Sequence, residues 1–164
     1  MNGKVVQISV SRGGVPKYAV PQSFIGPLGL QGDMHARPQI HGGPRQAILL
    51  ICSEVIADLT ARGYPLFPGA LGENLTVSGI DHRQLRPGQR YRVGEAVVEL
   101  TKMRAPCSTL DVYGPSIKKE IYDPQVKAGD PSSPRWGMSG VYASTVRSGI
   151  IRQNDIISLV DQVV

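Results

Sequence analysis

The chain has 164 residues, 41% of them hydrophobic and 19% charged, with 18 Lys/Arg against 13 Asp/Glu. That length suits a single domain over residues 1–164, and two independent cores are not expected. No apolar run approaches the roughly 20 residues that cross a membrane, the start of the chain lacks a leader-like pattern, and two cysteines do not make a disulfide framework, so a cytoplasmic protein with reduced thiols and no membrane partner is expected.

The 19 Gly and 13 Pro imply many turns and short elements, a composition that leans toward β structure. Residues 4–10 are rich in β-branched side chains and read as a strand, closed by the turn signal Arg12-Gly13-Gly14. From 26 to 43 neither a period of 2 nor of 3.6 is sustained, and this stretch reads as a long loop of the kind that carries function. It holds Asp33, His35 and His41. Residues 46–52 form a continuous apolar run of strand length, and Ser53 is the expected N-cap of a helix with Val55, Ile56 and Leu59 on one face, ended by Gly63 and Pro65.

Short strands are expected at 71–77, 89–93 and 96–103, separated by Ser78-Gly79, Pro87-Gly88 and Gly94-Glu95. Residues 115–122 read as a short helix and 123–137, with Pro124, Gly129, Pro131 and Pro134, as a mobile lid-like loop. Residues 141–146 and 156–160 are the expected closing strands, joined by 147–155. Together these elements predict a mainly β fold, a barrel or sandwich with a few short helices.

The charge is uneven. Residues 1–82 carry six Lys/Arg against five Asp/Glu, and residues 83–164 carry twelve against eight. Arg83, Arg86, Arg90 and Arg92 surround a turn and form either a basic patch for an anion or a solvated face. With 5% aromatics and no recognition motif, nucleic acid is not an expected partner.

Four sites carry candidate chemistry. Asp33, His35 and His41 have metal-ligand chemistry, but without a helical His pair or a Cys knuckle the preferred reading is structural, with Asp33 bridging the Gly-rich turns. His41-Gly42-Gly43-Pro44-Arg45 combines glycines that let backbone N–H groups approach a ligand with an arginine suited to phosphate or carboxylate, and it reads equally as a tight turn with a surface arginine. Glu73 and Asn74, just before a strand, offer a carboxylate and an amide. Lys17 and Arg135 are anion contacts or solvated side chains, His82 reads as exposed and without a role, and Cys52 as core. Arg104-Ala105-Pro106-Cys107, followed by the hydroxyls of Ser108 and Thr109, puts a thiol near a positive charge that favours the thiolate. Alone, this tetrapeptide leaves a buried packing cysteine as the commoner alternative.

Taken in order, Gly32-Asp33, His41-Gly42-Gly43-x-Arg45-x-Ala47, Gly72-Glu73-Asn74-Leu75 and Met103-Arg104-Ala105-Pro106-Cys107 resemble the MOSC domain, named after the C-terminal domain of molybdenum cofactor sulfurases. The resemblance covers nearly the whole chain and looks like a small stand-alone member. It implies a β-barrel-like fold and binding of molybdenum cofactor (molybdopterin), a pyranopterin dithiolene with a terminal phosphate. It further implies Cys107 as molybdenum ligand or sulfur carrier, with His41, Gly42, Gly43, Arg45, Glu73, Asn74 and Arg104 around the cofactor. Two departures stand out: Met103 occupies a position where proline is frequent, and Asn154-Asp155 replaces a Gly-Asp turn. Asn tolerates left-handed backbone angles, so that turn is expected to survive.

Three functions follow from the resemblance. The first is a reductase of N-hydroxylated small molecules that uses Cys107 as metal ligand and takes electrons from donor proteins. The second is a carrier that holds a persulfide on Cys107 and receives sulfur from a donor protein. The third is a non-catalytic cofactor-binding module. No iron–sulfur, flavin, nicotinamide or haem motif is present, so the reductase needs external electron donors.

Overall fold

A computed structural model describes residues 2–34 and 43–161. His35, His41 and Gly42 lie outside the described residues. The apolar run after the glycine-rich passage forms strand β5 (Ile48–Cys52), with all five side chains buried. Such a run belongs in the middle of a sheet covered on both faces. Its neighbours are β6 (Leu75–Ser78), parallel to it, and β9 (Val141–Arg147), antiparallel. Parallel neighbours require a crossover in place of a hairpin. Here it includes helix α1 (Ser53–Ala61), which buries Val55, Ile56 and Leu59. The N-cap is Cys52, not Ser53: extended backbone (φ −78°, ψ 132°) carries the strand directly into the helix, so Ser53 is already helical.

Strands β7 (Arg90–Val93) and β8 (Ala96–Met103) pair across Gly94-Glu95, and β8 then pairs with β9. At the other side of β6 lies β1 (Asn2–Val10), whose register slips between Val5 and Gln7. That bulge breaks strict alternation, and both Ile8 and Ser9 become buried. Strand β11 (Ile156–Asp161) hydrogen-bonds to β7 and, through Gly3↔Ile157 and its neighbours, to β1. The circuit β11-β7-β8-β9-β5-β6-β1 therefore closes into a seven-stranded barrel, with β2 (Tyr18–Val20) outside it against β1. The expected mainly β, barrel-like class with few short helices is the class observed. Asn154, at the turn into β11, has φ 76°, the left-handed angle expected there.

A second sheet places β3 (Gln22–Gly26) between β10 (Gly149–Arg152) and β4 (Gly29–Leu30). Two expected loops thus contain strands. β4 lies within 26–43, where it forms a tight hairpin with β3 across Pro27-Leu28, and β10 lies within 147–155, with its partner β3 remote in sequence.

The lid expected over 123–137 is instead a tied-down segment. It follows helix α2 (Ile117–Ile121) and opens with helix α3 (Pro124–Lys127). Asp123 Oδ1 accepts from the Val126 N–H at 2.8 Å, and its Oδ2 accepts from the Ser133 hydroxyl at 2.6 Å. Trp136 is 3% exposed, and its indole N–H donates to Leu85 O at 2.7 Å. His82, expected to be idle, lies with Nδ1 2.6 Å from Trp136 O. The arginines around the neighbouring turn are mostly engaged locally. Arg83 pairs with Asp81 at 2.9 Å and Arg90 with Glu99 at 2.8 Å, while Arg86 donates to Arg83 O and Leu85 O and lies over the Trp136 ring.

Candidate functional site

Strand β8 ends at Met103, which still pairs with Val141, so the departure from proline leaves the strand intact at that point. The next residue leaves the sheet. The Arg104 N–H donates to Gly140 O at 2.8 Å, and its side chain turns inward, only 6% of the residue remaining exposed. Nε donates to Ser139 O at 2.8 Å and Nη1 to Leu71 O at 2.9 Å, while the Ser139 hydroxyl donates to Arg104 O. Nη2 is buried without a hydrogen-bond partner among the described residues. Burial pushes the guanidinium below its usual pKa, and Tyr142, Glu73 and Cys107 act in the opposite direction.

After Ala105-Pro106 the chain reaches Cys107, the N-cap of a 3₁₀ segment (Ser108–Tyr113). Its thiol is half-buried, with Sγ 2.9 Å from Thr109 Oγ1. Arg104 and Cys107 line one cleft together with Lys17, Leu71, Asn74 and Tyr142. Burial raises the Tyr142 hydroxyl, so it stays a neutral donor in that wall. Cys52, by contrast, is a core thiol as expected, pushed up to about 12 by burial and then by the charges of Glu54 and Asp81.

The structure separates the members of the Gly-Glu-Asn motif. Asn74 reaches the cleft wall with its amide fully engaged. Oδ1 accepts from the Leu49 N–H at 3.0 Å, and Nδ2 donates to Asp33 Oδ2 at 2.8 Å and to Ser9 O at 3.3 Å. Asp33 Oδ1 in turn accepts from the Ser11 N–H at 3.0 Å and from Lys17 Nζ at 2.6 Å. The bridging role read for Asp33 is observed, whereas Lys17 is buried against it, not solvated. Glu73 is fully buried and does not line the cleft, with Oε2 accepting from the Gly69 N–H at 2.9 Å and the Thr76 hydroxyl at 2.8 Å. Burial pushes its carboxyl above the usual range.

Gly43 is described, with φ 101°, an angle that favours glycine. Arg45 is exposed, and its neighbour Gln46, not Arg45, lines the cleft. Among the described residues no group of three or more His, Cys, Asp or Glu is placed to hold a metal. The Asp33, His35, His41 trio falls partly outside the described residues. Lys17, read from sequence as an anion contact or a solvated side chain, lines the cleft, as does Tyr142, which motif reading did not single out. Tyr142 sits inside a strand pattern, and the only signal for Lys17 was its place in a glycine-rich turn.

The sequence pattern of the MOSC domain family matches residues 37–158. The chain belongs to the MOSC domain family. That family is associated with molybdenum cofactor binding. Protein YiiM of Escherichia coli (strain K12) is 35% identical over 91 residues, 52% of this chain and 40% of that protein. Uncharacterized protein YflK of Bacillus subtilis (strain 168) is 36% identical over 83 residues, 49% of this chain and 37% of that protein. The matched stretch is thus less than half the length of either relative. The crystal structure of YiiM from Geobacillus stearothermophilus superposes with a TM-score of 0.74 at 26% identity, covering 97% of this chain and 75% of that one. YiiM from Escherichia coli gives 0.68 at 21% identity, covering 98% and 71%, a likeness of fold. The barrel is therefore a MOSC barrel, and no helix among its described residues is long and apolar enough to cross a membrane.

Proposed function

We propose that this MOSC domain holds molybdenum cofactor in the cleft, with Cys107 Sγ as the protein ligand to the metal, and serves the reduction of N-hydroxylated small molecules. The observation that carries the reading is the pairing of a half-buried thiol with a buried arginine whose Nη2 has no partner among the described residues, both lining one cleft. A buried donor left unsatisfied costs about 1–3 kcal/mol, so a bound group that accepts from it is favoured. The donor set fits the cofactor, because a thiolate is a soft ligand and the anionic, oxygen-bearing remainder calls for N–H donors.

When bound, the cofactor supplies two-electron redox chemistry at its metal. The chain supplies the rest. Arg104, anchored by three backbone carbonyls through its N–H, Nε and Nη1, places positive charge near Cys107 and favours the thiolate. Thr109 Oγ1 donates to that thiolate and orients Sγ. Leu49 and Leu71 exclude water from the cleft wall, and Tyr142 holds its proton as a neutral donor. Electrons come from donor proteins.

The test is molybdenum content and pterin fluorescence of protein purified from a cofactor-producing host, wild type against Cys107→Ser. Wild type is expected to carry molybdenum and the variant to lose it. Equal molybdenum in both defeats the ligation. A cyanide-labile sulfur on Cys107 in metal-free wild type replaces the reductase with a sulfur carrier.

A further inference from the structure

We propose that Lys17, held in place by Asp33 and Asn74, is the cationic contact for a phosphate-like anion in this cleft, an assignment that rests on the cleft being the ligand site. Lys17 comes from the irregular passage between β1 and β2, yet it is 6% exposed and lines the same cleft as Arg104 and Cys107. Its ammonium has three N–H donors. One reaches Asp33 Oδ1 at 2.6 Å, while the approaches to Ser11 Oγ and Met34 O are both 3.5 Å, beyond the usual range for a good hydrogen bond. Donor capacity toward a ligand therefore remains.

The carboxylate that holds Lys17 is itself positioned. Asp33 accepts from the Ser11 N–H and from Asn74, and Asn74 is locked to the Leu49 N–H on β5. A chain of hydrogen bonds thus runs from the barrel wall to an ammonium in the cleft. Burying an ion pair costs desolvation that an apolar pair would avoid, so an ion pair is a poor choice if sealing these loops were the whole purpose. Lys17 and Arg104 both line the cleft, Asp33 engages Lys17, and Glu73 is not among its lining residues. Arg45, the cation that sequence placed on the ligand, is exposed and does not line the cleft.

The probe is inorganic phosphate, titrated calorimetrically into cofactor-free full-length chain at constant ionic strength. Wild type is expected to bind, Lys17→Met to weaken binding by at least about tenfold, the scale of one lost charge-assisted hydrogen bond, and Lys17→Arg to restore part of it. Arg45→Met is expected to leave binding unchanged. Should Lys17→Met fail to fold, backbone amide shifts of the wild type under the same titration decide the matter, and the Lys17 amide must move with the calorimetric constant. Loss of binding in Arg45→Met alone, a titrating Arg45 amide with a still Lys17 amide, or no phosphate binding by wild type overturns the assignment. Repeating the titration on cofactor-loaded protein separates the sources of the anion. Competition assigns the site to the cofactor's own phosphate, and persistent binding assigns it to a free oxyanion. None of these readouts depends on Cys107, so failure here leaves the molybdenum comparison of wild type and Cys107→Ser intact.

Discussion

Glu73 shows how one residue can serve a site without lining it. Its carboxyl sits behind the cleft, accepting from the Gly69 N–H and Thr76, and burial raises its pKa, with those hydrogen bonds and Arg104 opposing. A carboxyl raised on folding binds its proton more tightly in the folded state. Its contribution is therefore complete below the unfolded value of about 4.3 and is lost as pH rises through the folded value. Glu73→Gln is expected to remove this decline, seen as a flatter dependence of the urea midpoint on pH above the unfolded carboxyl value. A variant with the wild-type slope would assign the decline to another group. At this scale the motif reading named both residues of the Glu73-Asn74 pair and was silent about which of them lines the cleft. Asn74 and Glu73 are sequence neighbours just before β6, yet Asn74 lines the cleft and Glu73 is fully buried without lining it.

Among the elements, the segment from α3 to Gly140 departs furthest from its sequence pattern. Prolines, glycines and the absence of periodicity are the marks of a loop, but a loop becomes fixed when one large side chain finds a pocket. Trp136 does so, donating to Leu85 O and lying beneath Arg86, and Asp123 caps the short helix at the other end. Trp136→Ala is expected to cost about 3–5 kcal/mol and to open residues 123–137 to limited proteolysis. Unchanged melting and an intact segment in the variant would refute the anchoring role. The anchor was invisible because its acceptor, Leu85, and its neighbour His82 belong to a turn far away in the chain. The same reasoning applies to β10, a four-residue strand recognisable only beside β3.

The molecule as a whole depends on closure between its first and last strands. Gly3 lies at that seam, opposite Ile157 on β11, while its neighbour Lys4 pairs with Ser78 on β6. A Cβ there would come 2.2 Å from Ser78 O and 3.3 Å from Ile157 Cγ2, so no larger residue fits without moving a strand. Gly3→Val is expected to destabilise the barrel by about 1–3 kcal/mol and to lower the midpoint of a single cooperative transition, read by thermal circular dichroism. A wild-type midpoint would mean that the β1–β11 ladder is dispensable. Because these strands join the two ends of the chain, folding is expected to be dominated by non-local pairing.

The sequence alone was enough for the β-rich class, the central strand around residues 48–52, the packed Cys52 and the motif order that singles out Cys107. These follow from composition, continuous apolar runs and short motifs, all of which are local properties. Tertiary structure decided the composition of the cleft. It brought Lys17 in from an irregular passage, kept Glu73 and Arg45 off the lining and buried Arg104 with one donor unsatisfied among the described residues. The physical reason is that a cleft wall is assembled from side chains on strands remote in sequence, and register and sheet order, not local pattern, fix which of them meet.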